Sequence, residues 1–325
     1  MTKKYSWLLS VIVVGSLASL VFGDQHLESK APEVGPENGA LVIVGGGVTT
    51  AILEKFIELA GGKDASIVVI PTASGEFKEE YLNQKLDLFR DLGASNVTIV
   101  HTTDSILADT DSFVAPLLSA QGVWFGGGRQ WRLVDAYKNT KVEKLLWQVL
   151  ERGGVIGGSS AGATIQGSYL ARGDTRNNQI MTGDHEVGFG YLKNVAIDQH
   201  HLTRNRHFDM FSILDKYPHL LGIGIDEDTA IIVKGDTFSV MGNGYVAIYD
   251  GTFWSREGSS LKILPDEKFL FYFLKQGDSY DLKRRRVITQ EPRYLYIPKA
   301  ATTRRKKPGA KQTFSPEGLK KRLSK

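Results

Sequence analysis

Residues 153–167 read GGVIGGSSAGATIQG. A short apolar run ends in small residues, then two serines, then more small residues. A turn that only reversed the chain would not need Ala161, Gly162 and Ala163 packed behind the serines. Gly158-Ser159-Ser160-Ala161-Gly162 matches G-x-S-x-G. That pattern allows a sharp strand-to-helix turn that exposes the middle residue, Ser160, and aims the next backbone N–H at a reacting group. The strand before it and the small-residue helix start after it, AGATIQGSYL, supply the expected context. The competing reading is a tightly packed turn at a sheet edge.

Outward from this stretch, short apolar runs alternate with helical patterns. Strands are predicted over 40–46, 65–72, 96–102, 122–127, 154–160 and 221–226. Several are continuous Val/Ile runs, as expected of strands buried on both faces. Helices are predicted over 51–62, 79–93 and 130–154, the first two stopped by Gly61-Gly62 and Gly93. The alternation argues for an α/β fold, a mainly parallel sheet with helices on both faces. After residue 228, Gly-Asp, Gly-Asn-Gly and Asp-Gly turns between alternating runs predict antiparallel hairpins, with the fold ending near residue 285. No internal repeat is present. In open α/β sheets, ligands sit at the carboxyl ends of the strands, so chemistry is sought just after them.

The 325 residues suffice for one large α/β domain, and 42% hydrophobic with 23% charged residues is ordinary for a globular chain. No cysteine is present, which excludes disulfides, thiolate metal sites and a cysteine nucleophile. Residues 1–23 carry Lys3 and Lys4 ahead of a diluted apolar stretch and small residues at Val21 and Gly23. They resemble a secretory signal peptide, so an exported protein, periplasmic or extracellular, is expected. Residues 24–39 are polar with two prolines and read as a linker. The +4 net charge conceals an asymmetry: residues 281–325 hold 15 Lys or Arg against 3 Asp or Glu, which leaves the remainder at −8. Residues 286–325 therefore read as a basic, solvated tail, whose charge suits polyanions. No nucleic-acid motif accompanies it.

Four segments beyond the elbow could carry chemistry. Gly45-Gly46-Gly47 lacks the third glycine and the distal acid of a dinucleotide site, and reads as a tight strand–helix turn. WFGGGRQWRL (124–133) ends another strand, where glycines bring backbone N–H groups near a ligand. These suit an oxyanion hole shared with Ala161, and Gln130 could donate to a substrate. IDQHHLTRNRHFDM (197–210) concentrates histidines and arginines. If it is helical, His200, Arg204 and His207 share one face. A metal reading lacks a carboxylate at ligand spacing beyond Asp198 and Asp209. A base with a substrate clamp fits better: His200 takes the serine proton, while guanidinium groups grip a carboxylate. Finally, Asp226-Glu227-Asp228 closes a buried strand, where one acid could orient the histidine. Strand alternation puts Asp226 and Glu227 on opposite faces, so only one can reach it.

Together, GGSSAGA, FGGGRQ, IDQHHLTRNR and GIGIDEDTAI resemble the motifs of cyanophycinases and related serine peptidases of family S51, over about residues 40–280. The resemblance implies a flavodoxin-like sheet, similar to that of class I glutamine amidotransferases, in a domain spanning 40–285. It implies Ser160 as nucleophile, His200 as base and Glu227 as acid. Gly128 and Ala161 would form the oxyanion hole, and Gln130, Asp198, Gln199, Arg204 and Arg206 a substrate pocket. It implies no cofactor or metal, a homodimer, and a substrate that is either multi-L-arginyl-poly-L-aspartate or a related aspartyl peptide. Two departures bear on the substrate. The family pattern R-x-R-x-x-R ends here in Asp209, and Gly-Gly-Asp-Gln is here Gly127-Gly128-Arg129-Gln130. An exported peptide-binding protein with a degenerate pocket, and a dipeptidase acting on other Asp-X or isoaspartyl bonds, are the alternatives. An α/β-hydrolase esterase would need its acid before its histidine. A glutamine amidotransferase would need a cysteine at the elbow.

Overall fold

The computed structural model describes residues 32–256 and 269–288, together with the backbone of 295–296. Residues 1–31, which include the leader-like segment, and most of the basic tail lie outside the described residues.

In chain order the elements are β1 (Ala40–Val44), α1 (Thr50–Ala60), β2 (Ser66–Ile70), α2 (Glu79–Arg90), β3 (Asn96–Ile99), α3 (Asp111–Leu118), β4 (Gly122–Phe125), α4 (Trp131–Tyr137), α5 (Lys141–Glu151), β5 (Val155–Ser159) and α6 (Ala161–Thr164). There follow β6 (Gly167–Tyr169), β7 (Leu192–Gln199), α7 (Met210–Lys216), β8 (Leu221–Ile225), β9 (Thr229–Lys234), β10 (Thr237–Gly242), β11 (Tyr245–Tyr249), β12 (Phe253–Trp254), β13 (Tyr272–Lys275), β14 (Ser279–Asp281), β15 (Arg286–Ile288) and β16 (Leu295–Tyr296).

The first sheet runs β15-β14-β10-β9-β1-β5-β4-β2-β3, with its β1-β5-β4-β2-β3 half parallel. Its strands alternate strictly between two cores. Leu41, Ile43, Val68, Ile70, Val123 and Phe125 face one side, packed with Val114, Leu133, Leu146 and Val149 from α3, α4 and α5. Val42, Val44, Ile67, Val69 and Trp124 face the other, packed with Phe56 of α1 and Phe89 of α2. Burial on both faces is why these strands read as unbroken apolar runs.

The fold class is the expected mixed α/β one, but 221–226 does not join the main sheet. β8 sits in a second sheet, β13-β11-β8-β7-β6, in which β6, β7 and β8 are parallel and β11 and β13 antiparallel. Gly235-Asp236 makes the expected hairpin between β9 and β10. The Gly242-Asn243-Gly244 turn instead carries the chain from one sheet to the other, because β11 pairs with β8 and not with β10.

Three other expectations are corrected. The helix over 130–154 is two helices, α4 and α5, broken where Asn139 adopts φ 62°. The segment 32–39 is docked: the backbone N–H groups of Glu33, Val34 and Gly35 donate to the Asp236 carboxylate. The fold also continues past residue 285, since β15 pairs with β14 and β16 with β12.

Candidate active site

Ser160 follows β5 directly, with φ 57° and ψ −113°, a conformation an L-residue holds only under strain of order 1–3 kcal/mol. The neighbours explain how the chain sustains it. A Cβ on Gly158 would lie 2.4 Å from the Gly162 carbonyl oxygen, and one on Gly162 2.3 Å from that of Phe125. Only glycine at both positions lets α6 fold back onto β5 and β4. Ser160 N–H is anchored on the Val44 carbonyl, 3.0 Å away in the adjacent β1. The small residues of GGSSAGA are therefore required by close packing around the serine.

His200 and Glu227 arrive from the second sheet, at the carboxyl ends of the adjacent parallel strands β7 and β8. His200 Nε2 lies 2.9 Å from Ser160 Oγ, and its Nδ1 lies 2.6 Å from Glu227 Oε1. The two sheets meet at Gly45-Gly46-Gly47. His200 N–H donates to the Gly45 carbonyl, Asp228 N–H to that of Gly46, and Gly46 bridges Glu227. A Cβ on Gly46 would sit 2.4 Å from His200 Nδ1, so the imidazole lies flat against bare backbone. Sequence reasoning took this glycine run for a simple turn; the run of three glycines at a strand end was the available signal.

The pair Asp226 and Glu227 separates as alternation requires. Asp226 Oδ1 accepts the N–H groups of Leu202 and Thr203, while Glu227 holds His200. The helix expected over 200–207 is absent. These residues form turns, with His200 at φ 51°, and α7 begins only at Met210. The turn still places Arg204 near His200, with its side chain exposed and without a hydrogen bond among the described residues.

Gln130, Asp198 and Gln199 are fully buried and engaged with protein, so their expected direct contact with substrate is corrected. Gln130 Nε2 donates to the carbonyls of Ala171 and Arg172. Asp198 takes two bonds from Arg172, at 2.7 and 3.0 Å. Gln199 accepts from Arg206 Nη1 at 2.7 Å. They brace the site from behind. Arg172 has no counterpart in the sequence motifs, and nothing in its local sequence marked it. Arg129 donates to the Asp174 carbonyl and so ties the strand-end glycines to the segment after β6.

Electrostatics follows from this burial. Desolvation pushes the His200 imidazole below its ordinary value; the Glu227 hydrogen bond works against that, and the charges of Arg204 and Arg206 work with it. The shift favours the neutral imidazole, the form able to accept a proton. Burial and the neighbouring Arg172 bring the Arg206 guanidinium down to about 10, against the opposing pull of Asp198, 4.0 Å away. Ala161 follows the serine directly, and a Cβ on Gly127 would lie 3.4 Å from Ser160 Cβ, whereas Gly128 packs against Ala73; neither the Gly128 nor the Ala161 N–H donates to a backbone carbonyl among the described residues. Ala161 opens α6, where no intrahelical acceptor exists.

Residues 41–241 match the model of peptidase family S51. A cyanophycinase of Geminocystis herdmanii is 31% identical over 245 residues, covering 71% of this chain and 88% of its own. One from Synechococcus elongatus is 34% identical, covering 73% and 76%. One from a Nostoc species is 30% identical over 279 residues, covering 81% and 92%. Among solved structures, a peptidase from an acI-B1 actinobacterium superposes with a TM-score of 0.58 at 25% identity, covering 75% of this chain and 97% of its own. A strained serine at a strand–helix elbow, within hydrogen-bonding reach of a histidine, thus sits inside the matched region, and the chain belongs to peptidase family S51 as a cyanophycinase-like serine peptidase.

Proposed function

We propose that the protein is an exported peptidase that cleaves aspartyl peptide bonds through Ser160, His200 and Glu227. One observation carries the reading: an unbroken hydrogen-bond chain from Ser160 Oγ to His200 Nε2 (2.9 Å) and from His200 Nδ1 to Glu227 Oε1 (2.6 Å). Glu227 accepts the Nδ1–H, so the Nε2 lone pair faces the serine hydroxyl. Ser160 Oγ attacks the scissile carbonyl carbon and its proton passes to His200 Nε2. The N–H groups of Gly128 and Ala161 receive the oxyanion. Collapse transfers the proton from Nε2 to the departing amine and leaves an acyl ester on Ser160. Water, deprotonated by Nε2, hydrolyses that ester and frees the serine. Arg204, exposed in the turn after His200, holds the substrate carboxylate, with Arg206, buried and bonded to Gln199, behind it. The three named relatives are cyanophycinases, which directs the substrate choice toward aspartyl polymers and their dipeptides. Export rests on residues 1–23, whose basic start and apolar stretch suit a signal peptide.

The test is hydrolysis of cyanophycin and a panel of α- and β-aspartyl dipeptides by residues 24–325, beside Ser160→Ala. Release of dipeptide or free aspartate by wild type alone supports the reading. Equal activity in Ser160→Ala would end it. Tight binding of these peptides with no turnover would make the protein a binding protein.

A further inference from the structure

The strand-end glycines after β4 lie between Ser160 and a turn just past β2. On one side Gly127 meets the serine, and a Cβ there would lie 3.4 Å from Ser160 Cβ. On the other, Gly128, at φ 142°, has no room for a Cβ beside the Ala73 carbonyl. That carbonyl accepts the Arg129 N–H at 2.8 Å and Arg132 Nη1 at 3.1 Å, and Arg132 Nη1 also donates to the Ser74 carbonyl at 2.6 Å. The backbone of 127–129 therefore takes its position from the turn Thr72–Ser74.

What holds that turn is a chain of hydrogen bonds. His101 Nε2 lies 2.9 Å from the Glu76 carbonyl, and a carbonyl can only accept, so Nε2 carries a hydrogen. In the neutral imidazole, which burial favours, Nδ1 then only accepts. The Thr72 hydroxyl, 2.8 Å away, donates to it. Tyr137 Oη, 2.6 Å from Thr72 Oγ1, donates to the threonine and accepts the Thr102 N–H at 3.2 Å. Thr72 and Tyr137 are fully buried, and the Phe77 ring stacks on the imidazole at 4.0 Å. The direction of every bond in the chain is thereby fixed, and the chain ties the turn to α4 and to the segment after β3.

We propose that Thr72, His101 and Tyr137 are positioning residues for the peptidase reaction, holding the Gly127-Gly128-Arg129 backbone where its N–H can receive the oxyanion formed at Ser160. The proposal rests on the peptidase reading above. Loss of the Thr72 hydroxyl leaves His101 Nδ1 without a donor and the buried Tyr137 hydroxyl without an acceptor, so the turn is no longer fixed against Gly128. The oxyanion depends on a placed N–H more than the ground-state carbonyl does, so the loss falls on kcat and not on KM.

The experiment measures kcat and KM for the best-cleaved dipeptide of the panel above in wild type, Thr72→Val, Tyr137→Phe and Thr72→Ser, with amide hydrogen exchange over residues 124–133 read on the same proteins. Thr72→Val keeps the shape and removes the hydroxyl. It and Tyr137→Phe are expected to lower kcat about 10–100-fold at nearly constant KM. Exchange of the Arg129 N–H should quicken about tenfold while β1 and β5 keep their protection. Thr72→Ser keeps the hydroxyl and should stay near wild type in both readouts. A Thr72→Val protein that keeps wild-type kcat, whether or not KM rises, overturns the proposal. So does a loss of protection spread evenly over the molecule, which would make the network a part of general stability. If wild type cleaves none of the dipeptides, the peptidase reading falls by itself, and exchange at Arg129 still decides whether the network holds the 127–129 backbone.

Discussion

Ser160 stands at the end of the first sheet among glycines and alanines, whereas His200 stands at the end of the second with Asp198, Arg172, Arg206 and Glu227 around or behind it. The serine is placed by backbone geometry: a strained φ, two glycines without room for a methyl, and an N–H anchored on β1. The histidine is placed by buried charge and hydrogen bonds drawn from β7, β8, β11 and the chain after β6. The difference predicts opposite sensitivities. The serine side should tolerate changes of charge and fail on added volume. The histidine side, apart from the bare backbone of Gly46 against the imidazole, should tolerate small changes of volume and fail on changes of charge.

The largest effect expected is from Glu227→Gln, which keeps shape and removes charge. The amide can present an N–H to His200 Nδ1 and favour the wrong tautomer, so kcat should fall by roughly 10³–10⁴-fold with little change in Tm. The pH profile gives an independent check. Burial already places the His200 pKa below its ordinary value, and Glu227 opposes that shift. The acid limb of kcat/KM, where His200 must be neutral, should lie below the ordinary imidazole range in wild type and lower still in Glu227→Gln. A limb that rose, or stayed put, would place Glu227 outside the proton pathway.

Next comes Asp198→Asn. Burial alone would raise the Asp198 carboxyl, but the His201 imidazole 3.6 Å away and the two bonds from Arg172 hold it well below the usual carboxylate range. Removing its charge leaves the Arg172 guanidinium largely buried against Asp209 alone. The expected cost is about 3–5 kcal/mol in denaturant unfolding, since an uncompensated buried charge is the expensive state. A loss under about 1 kcal/mol would mean that Asp209 and water suffice, and that the histidine side does not depend on buried charge. Gly46→Ala is the matching test of volume. The new methyl would meet His200 Nδ1 and Cε1 at 2.4 and 2.5 Å and push the ring from Ser160. A misplacement of that size should lower kcat about 100-fold while stability changes less.

These two regions were also unequally legible in the sequence. The serine elbow is local: strand, small residues, serine and helix lie within GGVIGGSSAGATIQG, so steric reasoning reached Ser160 before any partner was known. The histidine side is assembled from afar. Asp198 finds Arg172, 26 residues away, and His201 finds Tyr249, 48 away, and no local pattern encodes either pairing. The same limit explains why Gln130, Asp198 and Gln199 read as substrate contacts: their types suit a ligand, and only the packing reveals that protein already occupies them. The second sheet was missed because 221–226 has the apolar pattern of the first sheet, which does not say which sheet a strand joins, and because 192–199, apolar only over its VAI core, was not read as a strand.

Asp226→Ala should have a smaller effect than any of these. It removes the acceptor of the Leu202 and Thr203 N–H groups, costing about 1–2 kcal/mol, and it loosens the turn that carries Arg204. KM should rise more than kcat falls. The reverse would mean that Asp226, and not only Glu227, governs the imidazole.

The smallest effect lies at the edge of the site, where His185 joins the segment after β6 to α4. Its Nδ1 lies 2.9 Å from Asp184 and its Nε2 2.8 Å from Asp135. Both ring nitrogens can donate only when the imidazole is protonated. Burial acts against that charge, but the two carboxylates outweigh it and raise the His185 pKa. A raised folded-state pKa means that the stabilisation is fully present below the unfolded value of about 6.5 and is lost as pH rises through the higher folded value. The carboxylates are half-exposed, so the pair is screened and contributes about 0.2–1 kcal/mol. His185→Gln should therefore lower unfolding stability by that amount near about pH 5.5 and match wild type near about pH 9, where the imidazole is neutral in both states. A loss equal at both values would remove charge from the explanation. It would leave the ring's packing against Trp131, 6.3 Å between centroids, as what His185 contributes.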